Sequence, residues 1–155
     1  MAAYGANAEQ TIQPGAFMVF ETTIVPCNLG LIQHFDESPL FSLSGWKPNN
    51  NGCCCNRNNP TYYEVCFNAN VALAEGATVE PISLVISIDG VQFPLSEMDT
   101  TPAAVGDYQH LSNCLPIPIM NNNCCHSVAV QNTSTQPITV KNGLIQFSRP
   151  DLANR

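Results

Sequence analysis

The residues best equipped for chemistry in this 155-residue chain are its eight cysteines: Cys27, Cys53, Cys54, Cys55, Cys66, Cys114, Cys124 and Cys125. Thiols can hold zinc, exchange disulfides or cross-link. Structural zinc favours two ligand pairs on knuckles such as Cys-x2-Cys, each chelating from one turn. Here the spacings are adjacent or i, i+2 within Cys53 to Cys55, and His126 touches the second run, a poor match to zinc. A redox site favours Cys-x-x-Cys at a helix N-terminus, and neither feature is present. Two readings stay open, and each cross-link would add roughly 2–4 kcal/mol if unstrained. Cys27, Cys53, Cys54, Cys55, Cys124 and Cys125 are cross-link candidates, within or between subunits. Neighbouring cysteines on an extended backbone face opposite ways, so each run can reach two partners. Cys66 and Cys114, inside apparent strands, read instead as thiols packed like small apolar residues.

Other catalytic signals are weaker. Gly-x-Ser-x-Gly, His-Glu-x-x-His and the phosphate-cradling Gly-x-x-x-x-Gly-Lys are all missing from the chain. The histidines are His34, His110 and His126. The acidic pairs Asp36-Glu37 and Glu97-Met-Asp99 read as solvated loop carboxylates rather than calcium ligands. Asn132-Thr-Ser134 matches a glycosylation triplet but reads equally as turn residues before Pro137. Trp46, at the mouth of an Asn-rich loop, could stack on a sugar ring or plug the end of a core. No enzyme, cofactor or metal is expected.

Composition narrows the partners. Charged residues make up 11% of the chain, against about 25% in a typical domain. The net charge is -7, and Lys47, Arg57, Lys141, Arg149 and Arg155 are scattered. No basic patch for nucleic acid or an anionic membrane can be built from them. No apolar run approaches the roughly 18 residues of a spanning helix. The first ten residues lack the basic start and apolar core of a secretory signal, so synthesis without a signal peptide is expected.

Twelve prolines and nine glycines leave little room for helices. Alternation with period two dominates instead. From Tyr62 to Leu73, one face carries Tyr63, Val65, Phe67, Ala69, Val71 and Leu73, which predicts a half-buried strand. Ile82 to Ile88 repeats the rule, and Asp89-Gly90 supplies a tight hairpin turn before Val91 to Phe93. Further strands are predicted at Phe17 to Val25, Tyr108 to Leu115, Ser127 to Gln131 and Ile138 to Val140. Lys141-Asn-Gly143 is predicted as a turn into a strand over Leu144 to Phe147. Leu31 to His34 and Phe41 to Ser44 are shorter candidates. Short strands at regular spacing predict a single-domain, all-β antiparallel sandwich with jelly-roll topology. Residues 1–14 are expected to be an N-terminal arm, 15–149 the jelly roll and 150–155 a C-terminal tail.

Several strings carry a family resemblance: Thr22-Thr-Ile-Val-Pro-Cys-Asn-Leu-Gly30, Tyr63-Glu-Val-Cys-Phe-Asn-Ala-Asn-Val71 and Pro81-Ile-Ser-Leu-Val-Ile-Ser-Ile-Asp-Gly90. Thr101-Pro-Ala-Ala-Val-Gly-Asp-Tyr108 and Asn123-Cys-Cys-His-Ser-Val-Ala-Val-Gln-Asn-Thr-Ser134 extend it. Together they resemble small phage and prophage jelly-roll proteins of clostridia-like bacteria, over roughly residues 14–149. Those proteins are similar to the trimeric domains of the tumour-necrosis-factor and complement type that also cap spore filaments. The Cys53 to Cys55 triplet departs from that pattern, in which one cysteine is usual. The resemblance implies a structural subunit forming a homo-oligomer, trimer or polymer, on a virion surface or outside the cell. A major capsid or tail protein would be a further partner. The arm would strap onto a neighbouring copy. A filament cross-linked through the cysteines, and a carbohydrate-binding module built on Trp46, are the alternatives.

Overall fold

The structure, a computed structural model, describes residues 1–27, 30–45, 61–119 and 125–150. Among these residues, twelve strands form two antiparallel sheets. The first has the order β10-β6-β12-β1-β3, with β2 beside β12; the second has the order β4-β5-β11-β7-β8, with β9 beside β7. In chain order the strands are β1 Ala2–Ala6, β2 Gln10–Ile12, β3 Thr22–Val25, β4 Ile32–His34, β5 Phe41–Ser44 and β6 Thr61–Leu73. They continue as β7 Ile82–Ile88, β8 Val91–Gln92, β9 Met98–Thr100, β10 Gln109–Ile119, β11 Cys125–Asn132 and β12 Ile138–Ser148. A single 3-10 turn, Pro94–Ser96, separates β8 from β9.

The pairing is nested. Strand β1 pairs with β12, β5 with β11, β6 with β10, and β7 with β8 and β9. The first and third pairs share one sheet because β12 also lies beside β6; the second and fourth share the other because β11 lies beside β7. Such a hairpin of pairs, rolled so that alternate pairs fall in opposite sheets, is the jelly roll that the strand spacing predicted.

The core lies between the sheets. Tyr63, Val65, Phe67, Ala69, Val71 and Leu73 on β6, with Ile145 and Phe147 beside them on β12, face Leu84 and Ile86 on β7 and Val128 and Val130 on β11, all essentially inaccessible. Their period-two placement gives each strand one apolar face, and burying that face against its counterpart is the main stabilising term. The Asp89-Gly90 turn forms as expected, with φ of 52° and 80°, the paired positive values that a right-twisted two-residue hairpin requires.

Three expectations are corrected. Residues 1–14 are not an arm: Ala2–Ala6 fills the gap between β12 and β3, and Gln10–Ile12 extends the sheet along β12. The Tyr4 ring reaches the core, which ties the segment to its own subunit. Phe17 to Val25 is not one strand, because the chain changes sheets there. Met18 N–H donates to Val130 in the second sheet, whereas Glu21 N–H donates to Gly5 in the first. Finally, Lys141-Asn-Gly143 does not reverse the chain. Strand β12 runs through it as a bulge, with the register against β6 shifting between Lys141 and Leu144. Asn142 takes a φ of 54°, and Met18 Cε occupies the space that a Cβ on Gly143 would need, so a larger residue there would displace the Met18 side chain.

Candidate functional site

The cysteines are arranged differently from the expectation. Cys66 and Cys114 face each other across β6 and β10, 4.1 Å apart at Cα, and are joined by a disulfide. Opposed residues on one face of an antiparallel pair approach closely enough for this, and it overturns their assignment as packed thiols. Cys27 is half-buried against the core, and Cys125 is exposed at the start of β11. Cys53, Cys54, Cys55, Cys124 and Trp46 lie outside the described residues, as does most of the expected C-terminal tail.

The disulfide fastens an edge strand. It closes a loop with a sequence separation of 48 residues, for which the chain-entropy account allows about 4 kcal/mol. Replacing both cysteines by serine should lower the urea midpoint by roughly 2–4 kcal/mol in free energy. Amide exchange would show the loss concentrated in β10, and protection there equal to wild type would contradict it.

Around the disulfide, the outer face of the first sheet is poor in charge. Asn70 lies beside His110 and Lys141, Asn68 beside Ser112 and Leu144, Glu64 beside Pro116 and Ser148, and Tyr62 beside Pro118. His110 Nδ1 is 3.2 Å from Asn70 Oδ1. Lys141 Nζ sits 3.8 Å over the Tyr108 ring. Burial, and then the charge and hydrogen bond of Glu9, push the Tyr108 phenol up. Tyr62 and Ile24 are each 55% exposed, leaving apolar surface at both ends of the face.

The sheet edges are blunted. Strand β10 carries Pro116 and Pro118, β4 has three residues, β8 has two and β9 has three. Prolines and short edges deny a further strand the ladder it would need.

The second sheet offers a different feature. An open depression of about 470 Å³ lies on its outer side, near the 3-10 turn. Ser83 Oγ donates to Glu97 Oε1 at 3.0 Å, and Thr133 Oγ1 donates to Ser83 Oγ at 2.8 Å. Glu97 and Asp99 are both exposed, as solvated carboxylates should be, with Glu97 accepting from Ser83; Met98 between them enters the core on β9. Asn132, the candidate glycosylation residue, is fully buried. Its amide donates to the carbonyls of Ile12 and Gln136, so it serves as a strut.

His34 and His126 are each held by neighbouring groups. His34 stacks on Phe41 at 4.4 Å, and its Nε2 donates to the Ser38 carbonyl. His126 Nδ1 lies 2.6 Å from Asp89 Oδ2, while Ser127 N–H donates to Asp89 Oδ1. Burial alone would raise the Asp89 carboxyl, but the His126 hydrogen bond, the Ser127 N–H and the His126 charge outweigh it and leave the carboxyl below its ordinary value. A depressed folded-state pKa stabilises above the unfolded carboxylate range and loses that contribution as pH falls through the folded value. Asp89→Asn should therefore lower the urea midpoint at pH 7, and the deficit should shrink on titration below about pH 4. A deficit constant down to pH 2 would contradict the assignment.

No family model and no curated protein matches the chain. Among solved structures, a protein described as "EclA C-terminal domain; sugar-binding protein" shares 11% identity at a TM-score of 0.38, over 91% of this chain and 79% of that one. At that level the likeness carries no argument about function. Among the described residues no helix is long and apolar enough to cross a membrane, and no group of three His, Cys, Asp or Glu side chains is placed to hold a metal.

Proposed function

We propose that the chain is a non-catalytic structural subunit that self-associates through the outer face of its first sheet. The product is a trimer on the outside of a phage-like particle, where it decorates a capsid or forms part of a head or tail fibre. One observation carries the reading: a face poor in charge, with Glu64 and Lys141 among mostly neutral side chains and exposed Tyr62 and Ile24 at its ends, on a sandwich whose edges are blunted. Neutral polar surface can be buried between copies without charge repulsion, despite the overall -7. Blunted edges disfavour strand addition and leave the sheet face as the surface that meets a neighbouring copy, through a heterologous contact that closes after three. The Cys66–Cys114 bond suits exposure to an oxidising setting after release.

A second reading is an extracellular or spore-surface filament stapled by disulfides. Light scattering of the purified protein with and without reductant separates the two. A discrete mass of three chains, unchanged by reductant, supports the closed oligomer. Polymers that shorten on reduction would put the filament first, and a monomer in both conditions would overturn both.

A further inference from the structure

The depression on the second sheet has no role in self-association through the first, and its chemistry is distinctive. Its floor is Val85, which is 3% exposed yet points away from the intersheet core. Pro94 adds apolar surface beside it. The polar groups are neutral apart from one: Ser83, Gln92, Gln131 and Thr133 surround the Glu97 carboxylate. No cation lines the space, and the chain carries a net -7, so phosphate, sulfate and other anions are disfavoured there.

The hydroxyl chain has unspent hydrogen-bonding capacity. Ser83 Oγ donates to Glu97, and the Thr133 hydroxyl donates to Ser83 Oγ at 2.8 Å, with the Ser83 carbonyl 3.2 Å away as its alternative acceptor. Gln131 Nε2 is tied to the Gly15 carbonyl, and Gln131 Oε1 is shut away from solvent, out of a ligand's reach. Oxygen lone pairs on Thr133 and one carboxylate oxygen remain to accept from a ligand. Gln92 on exposed β8 can both donate and accept.

We propose that this depression is a binding site for a neutral saccharide. A sugar ring presents vicinal hydroxyls that donate and accept together, and a C–H face that packs on apolar surface. The carboxylate, amides and hydroxyls meet the first requirement, and the exposed ring of Pro94 meets the second. The volume falls within the usual range for small-molecule sites, about 300–1,000 Å³. The sugar ring would lie against Pro94, with its hydroxyls directed to Glu97, Gln92 and Thr133. The described lining residues lie apart from the outer face of the first sheet, the proposed oligomeric interface.

The test is an amide NMR titration of the full chain with N-acetylglucosamine, galactose and mannose, with N-acetylneuraminate and sulfate as anionic probes. At least one neutral sugar should give saturable shifts below about 50 mM, centred on Gly15, Ser83, Gln131 and Thr133, with the anions giving none. Gln92→Ala, on an exposed strand, and Glu97→Gln, which keeps the side-chain shape, should each weaken binding about tenfold. No saturable shift with any neutral sugar would overturn the proposal. So would shifts elsewhere on the surface, or affinity indifferent to both substitutions. The light-scattering mass is read on the same samples, so failure of sugar binding and failure of self-association are seen separately.

Discussion

Phe41→Ala should be the most damaging single substitution among the described residues, costing about 3–5 kcal/mol. Phe41 stands on β5 of the second sheet and is wholly inaccessible. Its ring centroid lies 4.9 Å from Tyr4 on β1, 4.9 Å from Phe147 on β12, 5.2 Å from Phe20 and 4.4 Å from His34. It therefore bridges both sheets and the segment that crosses between them. Truncation removes the transfer energy of the ring, leaves a cavity that four rigid neighbours cannot close, and strands the stacked face of His34. Tilted aromatic contacts add about 0.5–1.5 kcal/mol per pair beyond area burial. Against a total stability of about 5–15 kcal/mol, such a loss should lower Tm by roughly 10 °C or more. Phe41→Leu, which keeps most of the volume, should cost much less. Leu95→Ala, at a side chain 80% exposed, should stay within about 0.5 kcal/mol of wild type. Thermal unfolding of the three variants checks the ranking. A Phe41→Ala loss no larger than that of Leu95→Ala would mean that the sheets are not joined through this cluster.

What the sequence made legible follows the same physics. Strand β6 announced itself because six core residues alternate without interruption, and the β7–β8 hairpin because Asp-Gly is among the few pairs that accept two positive φ values. Strand β1 stayed hidden because Ala-Ala-Tyr-Gly-Ala has little side-chain signal; its place is set by the narrow slot between β12 and β3. The bulge in β12 uses the same Asn-Gly chemistry as a turn. What separates the two is the continued partnership with β6, a long-range fact. The Cys66–Cys114 bond depended likewise on the register between strands about fifty residues apart. With β6 and β10 both predicted, a trial alignment of the two could have exposed it. The depression was beyond reach, since Gly15, Ser83, Pro94 and Gln131 meet only after the nested pairs have rolled up.

The proposed assembly makes a second large prediction. Introducing Ser112→Glu together with Gln146→Glu should convert the oligomer to monomer while leaving the subunit folded. Ser112 is exposed on β10, and Gln146 lies on β12 opposite Cys66 with its side chain on the same outer face. On a solvated face, two extra carboxylates cost little, within about 0.5 kcal/mol each. Buried between copies, each would lose its hydration without gaining a cation, because Lys141 is the only lysine or arginine among the face's described strand positions and its ammonium already lies over Tyr108. Desolvating unpaired charge costs several kcal/mol per group, enough to weaken association by a hundredfold or more. Gln33→Glu on the outer side of the second sheet serves as the control, since it adds charge without touching the proposed interface. Light scattering should then find monomer for the double variant and the wild-type mass for the control. If the double variant keeps the wild-type oligomeric mass, the first sheet is not the interface. Dissociation by the control alone would transfer the interface to the second sheet, where it would compete with the saccharide site for the same surface.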